Sequence, residues 1–186
     1  MTNKSLYTNV SIKKTSYVEV MPGQNIRYSF SEIANNSTTA LTSFYWRDTL
    51  PVAVTLNKIM TGTYNVQGSY KIVYRTNLSG DTYRTMADNL STQKNNVVDA
   101  SPATLGLASN ERVTEFMLVF GTVPANFRQV EAPRVDCKVA DHLAGGTQFV
   151  NQADVGGVYN GQWIMANSRW VTRVYKPSAV LPRTGY

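Results

Sequence analysis

Hydrophobic and polar residues alternate along most of this chain with the period of two that strands impose, in short stretches bounded by turn residues. Val10 to Lys14 and Tyr17 to Val20 open the series. Pro22 and Gly23 turn the chain into Ile26 to Phe30, with Ile26, Tyr28 and Phe30 on one face. A polar loop at residues 35–39 leads into Leu41 to Leu50, where Phe44, Trp46, Asp48 and Leu50 share a face. Further strands are predicted at residues 54–63, 70–76, 82–86, 112–120, 129–139, 147–150, 162–166 and 170–175, and residues 77–81 read as a hairpin loop. The helical signal is confined to Ser101, which can cap a single turn, and Pro102, which can begin it. About ten strands suffice for two sheets packed face to face. The predicted fold is therefore all-β, an immunoglobulin-like antiparallel β-sandwich over 1–176, with 177–186 as an extended stalk.

Composition agrees with one such domain. The chain has 186 residues, only 16% of them charged, and uses tyrosine eleven times. Its net charge of +6 is spread singly or in pairs such as Lys13 and Lys14, so no basic cluster points to nucleic acid. Cys137 is the single cysteine, which rules out an internal disulfide. His142, the single histidine, lies near Asp136, Cys137 and Asp141, too few strong ligands for a metal expectation. No nucleophile pairs with a base in a known spacing, and the glycines at 156 and 157 lack the lysine and helix of a phosphate cradle. Neither enzymatic activity nor a cofactor is expected.

Aromatic residues offer a different chemistry. Trp46 is expected in the core, whereas Trp163 and Trp170, with Tyr159, are candidates for an exposed platform on which a carbohydrate or a host protein could stack.

Three segments together resemble the conserved-repeat and pilin-type domains of Gram-positive surface proteins. Lys14-Thr15 is followed by Pro22-Gly23-Gln24. Ala34-Asn35-Asn36-Ser37 runs through Phe44 to Asp48-Thr49-Leu50-Pro51, similar to an N-x-G/S … D-T-L-P signature. Asn151, Ala153 and Val155 match a terminal N-x-A-x-V strand. The resemblance covers residues 10–157. It departs from the family at residues 64–122, longer than a short repeat needs, and at 162–175, which add a hairpin.

The resemblance implies a spontaneous isopeptide bond between Lys14 and Asn151, assisted by the acid Asp48. Parity is consistent with it: Val10, Ile12 and Lys14 share a face, as do Phe44, Trp46 and Asp48. A lysine buried among aromatics loses its proton readily, and a buried carboxyl holds one. Other placements stay open. Asp48 can cap the turn at Thr49, Lys14 can snorkel to a sheet edge, and Asn151 can close a bulge. Lys13 replaces Lys14 if the strand slips by one residue, and Glu19, Glu32 and Glu115 are substitutes for the acid.

The C-terminal Leu181, Pro182, Arg183, Thr184 and Gly185 resemble the LPxTG sorting signal of wall-anchored proteins. Pro182 holds Leu181 extended, and Gly185 leaves the Thr184 carbonyl open to attack. The resemblance implies cleavage by a sortase after Thr184 and covalent transfer to peptidoglycan, with this chain as substrate. A complete signal continues into an apolar span of about 20 residues and a basic tail, and residues 1–5 lack the apolar stretch of a signal peptide. The expectation is a C-terminal piece of a larger cell-wall protein. Two functions follow: a structural stalk domain, or an adhesive module that binds through exposed aromatics.

Overall fold

The computed structural model describes residues 5–177. Over that span the chain folds as two packed sheets. The smaller has the strand order β1 (Val10–Thr15), β3 (Asn25–Asn35), β10 (Arg134–Val139), β5 (Val54–Met60) and β8 (Val97–Asp99). The larger runs β2 (Glu19–Val20), β12 (Gln162–Val174), β11 (Gln148–Tyr159), β4 (Leu41–Thr49), β9 (Val113–Val123), β6 (Ser69–Thr76) and β7 (Arg84–Ser91). Neighbours are antiparallel, except that β2 runs parallel to the end of β12. The single described helix, α1 (Pro102–Leu105), is capped by the Ser101 side chain and ends at Gly106 in the left-handed region. The sandwich read from the sequence is therefore the fold, with twelve described strands.

Alternation builds the core. Ile26, Tyr28 and Phe30 of the smaller sheet face Phe44, Trp46 and Phe116 of the larger, all at 1% exposure or less. Phe30 and Trp46 meet at 4.8 Å between ring centroids, joining the two sheets. The indole N–H of Trp46 donates to the Tyr64 hydroxyl at 3.0 Å, which in turn donates to the Thr61 carbonyl, so the polar edges of this layer are satisfied.

Several predicted boundaries shift. The stretches expected at 162–166 and 170–175 form one strand, because Asn167, Ser168 and Arg169 continue β12. Ser168 turns inward there and accepts the backbone N–H of Lys14 at 3.0 Å, giving the edge of β1 a side-chain partner. The predicted 147–150 strand likewise extends to Tyr159. β5 stops at Met60, short of Thr63, because the chain turns at Gly62, whose φ of +67° and backbone neighbours leave no room for a side chain. β8 lacks clear alternation and was not anticipated; it pairs with β5 through three residues.

Candidate functional site

Lys14, Asp48 and Asn151 come together between the sheets. Val10, Ile12 and Lys14 all point inward from β1, and the Lys14 side chain has no solvent exposure. Asp48 follows Phe44 and Trp46 on the inner face of β4, and its side chain is equally sealed. Asn151 lies on the inner face of the adjacent β11 with Phe149, Ala153 and Val155, in a register that sets Ala153 opposite Asp48. The lysine thus comes from one sheet, and the acid and amide come from the other.

Asp48 bridges the other two. Its Oδ1 accepts from Lys14 Nζ at 2.5 Å and its Oδ2 from Asn151 Nδ2 at 3.4 Å. Lys14 Nζ also sits 4.2 Å from the centroid of the Tyr28 ring and 4.4 Å from that of Phe30. The Tyr28 hydroxyl and Asn151 Oδ1 are buried without a hydrogen-bond partner. Burial lowers the Lys14 pKa from its ordinary value, opposed by the nearby Asp48. Burial raises that of Asp48, opposed by Lys14 and by the Asn151 amide. Desolvation is the larger effect for both groups, so the pair is driven towards neutral amine and neutral acid. A carboxyl that contacts both an amine and a carboxamide, in a pair biased towards its neutral forms, is an arrangement suited to amide transfer.

The substitutes lie elsewhere. Lys13 is exposed on the opposite face of β1, as its parity requires. Glu19 and Glu32 are exposed, the latter at a positive φ of 56°. Glu115 is buried, but it is held by Arg75 and Tyr83 on the outer face of the larger sheet. His142 is exposed, and Asp136 pairs with Arg27. Residues 181–185, which carry the sorting motif, lie outside the described residues.

The expected aromatic platform divides. Trp163 and Trp170 stand an odd number of positions apart on one strand and therefore face opposite ways. Trp170 turns towards β2 and donates its indole N–H to the Tyr17 carbonyl at 3.0 Å, while Tyr159 packs partly buried against the core. Trp163 is 52% exposed on the outer face, where its ring meets Tyr45 edge-on at 5.8 Å. These two rings, with Met117, Val119 and Met165, line an apolar groove of ≈ 450 Å³. At its margin Asp154 accepts two bonds from Arg47, at 2.9 and 2.8 Å, and one from the Tyr45 hydroxyl at 2.9 Å.

Sequence reasoning missed Tyr28 as a member of the buried cluster and Tyr45 as a wall of the groove. Tyr28 carried a usable signal, since its parity with Ile26 and Phe30 directs its hydroxyl inward. Tyr45 carried none, because outward parity gives no sign of which cross-strand residue will cover it.

No family model matches the chain, and no curated protein matches it. Similar solved structures include AvmM, which catalyses macrocyclization in alchivemycin A biosynthesis, at 10% identity and a TM-score of 0.41, covering 93% of this chain and 92% of that one. The collagen-binding domain from a Staphylococcus aureus adhesin has 9% identity and a TM-score of 0.34, covering 89% of this chain and 99% of that one. AggA, the major subunit of aggregative adherence fimbriae type I from Escherichia coli, has 11% identity and a TM-score of 0.30, covering 94% and 97%. Likeness at this level is distant and assigns this chain neither ligand nor activity.

Proposed function

We propose that this chain is a structural stalk domain of a Gram-positive surface protein, fastened internally by a bond between Lys14 and Asn151 and joined to the wall through Leu181–Gly185. The observation that carries this reading is the buried contact of Lys14 with Asp48 and of Asp48 with Asn151, across positions 34 and 103 residues apart in sequence. A lysine and an aspartate sealed in a core are costly unless they serve a purpose or are very well paired.

The chemistry is amide transfer. The neutral Lys14 amine adds to the Asn151 side-chain carbonyl carbon, Asp48 takes a proton from the attacking nitrogen and gives one to the departing nitrogen, and ammonia leaves. The product ties the first strand of one sheet to a late strand of the other. Intact mass spectrometry tests it: the folded chain should weigh about 17 Da less than its sequence, the mass of the ammonia lost. Lys14→Ala should restore the full mass, and a wild-type mass equal to the sequence mass overturns the bond. Wall attachment is tested separately, by fusing an apolar span and basic tail after Tyr186 in a sortase-bearing host. Replacing Pro182 and Thr184 by alanine should then abolish linkage to peptidoglycan.

A second reading, an adhesive module, is favoured by one observation: the groove beside Trp163 leaves a tryptophan and Met165 at 52% and 63% exposure. Glycan-array and host-protein binding that disappears in Trp163→Ala supports this reading, and binding unaffected by the substitution removes it.

A further inference from the structure

Two buried polar atoms at the proposed reaction site lack a partner, the hydroxyl of Tyr28 and Oδ1 of Asn151. Native cores rarely leave one such group unpaired, so two in one cluster call for an explanation. The opposite end of the amide is engaged, since Asn151 Nδ2 is directed at Asp48 Oδ2 at 3.4 Å. Its carbonyl oxygen is left without help from the carboxyl. That oxygen gains negative charge as a nitrogen adds to the carbonyl carbon, and a donor aimed at it lowers the barrier. Tyr28 is 0% exposed, and its ring lies 4.2 Å from the attacking Lys14 Nζ.

We propose that the Tyr28 hydroxyl, unpaired in the resting site, donates to Asn151 Oδ1 as Lys14 attacks and so stabilises the oxyanion that forms. This inference rests on the Lys14–Asn151 bond proposed above and adds a fourth residue to it. The roles divide cleanly. Asp48 moves protons between the attacking and departing nitrogens, while Tyr28 keeps its proton throughout and only steadies the oxygen. The balance is unchanged: amine and carboxamide give a secondary amide and ammonia, with both Asp48 and Tyr28 regenerated. Burial holds the phenol pKa above its ordinary value, so the hydroxyl keeps its proton and remains able to donate.

Tyr28→Phe tests this, because it keeps the ring beside Lys14 and removes only the hydroxyl. Full-length wild-type and variant chains are made in a short cell-free translation pulse, quenched in denaturant at intervals, and weighed intact. The expected result is a wild-type deficit of about 17 Da that the variant acquires on the order of a hundredfold more slowly, as for loss of an oxyanion donor. Circular dichroism and thermal melting of Tyr28→Phe in a Lys14→Ala background, where no bond can form, should match Lys14→Ala alone and so exclude a folding defect. A wild-type deficit that Tyr28→Phe acquires at the same rate overturns the role of Tyr28 and leaves the bond standing. No deficit in the wild type overturns both. A slow variant whose melting in the Lys14→Ala background is also depressed assigns Tyr28 to packing and overturns the inference.

Discussion

Lys14 Nζ and Asp48 Oδ1 come from opposite sheets and meet at 2.5 Å where neither side chain reaches solvent. Each makes the other tolerable. Removing one partner leaves an ionisable group stranded in a core of aromatic rings, whereas removing both leaves a volume to refill and only the neutral Asn151 amide without its partner. Asp48→Ala should therefore abolish the mass deficit and destabilise the fold, and the double variant Lys14→Met/Asp48→Leu should recover about 3 kcal/mol over Asp48→Ala. Urea denaturation of the two, neither of which can form the bond, checks this.

The cross-link should show in stability as well as mass. It closes a loop of more than a hundred residues, for which chain-entropy theory gives about 4 to 5 kcal/mol. Asn151→Ala should lose on the order of that amount in denaturant unfolding. Lys13→Ala, which alters an exposed side chain on the opposite face, should change neither mass nor midpoint.

Stability of the unbonded protein should depend on pH in two opposite ways, read in Asn151→Ala because it keeps Lys14 and Asp48 as free side chains. Between the lowered Lys14 pKa and its ordinary 10.5, the unfolded chain carries the extra proton, so stability rises with pH. Between the ordinary 3.8 of Asp48 and its raised value, the folded chain carries the extra proton, so stability falls as pH rises. Adding Lys14→Met should erase the alkaline rise. Thermal unfolding across the pH range checks both signs.

Gly156 forms the floor beneath Tyr45. A methyl group there would lie 2.8 Å from the Tyr45 ring, so Gly156→Ala should push the ring off the sheet. The expected cost is about 1 to 3 kcal/mol, as for overpacking. Fluorescence of Trp163, whose ring meets Tyr45 edge-on, should change in parallel.

The buried triad was legible because each member sits at even spacing from apolar neighbours: Lys14 from Ile12, Asp48 from Trp46, and Asn151 from Phe149. Parity fixes the face a residue occupies and says nothing of what stands opposite it. The meeting of β1 with β4 and β11 across the sandwich came from the resemblance, and the contact distances from the structure. Trp163 and Trp170 show the converse. Their odd spacing would have separated them had residues 162–175 been read as one strand, but the polar run at 167–169 hid the continuity. That run is tolerated because β2 covers only Arg173 and Val174 of β12, which leaves residues 167–169 at an open sheet edge where polar side chains find water or, in Ser168, a backbone donor. β8 was invisible for a plainer reason: three residues offer too few positions to display a period.

Cys137 gives this sealed interior a reporter of its own. It is the sole cysteine, 0% exposed on β10, and burial raises its thiol pKa above the ordinary value. A thiol reagent can reach it only in molecules whose sheets have parted, so the labelling rate in native buffer measures how often the sandwich breathes. One sulfur atom thereby turns a transient opening into a permanent tag, with no probe introduced and no residue replaced.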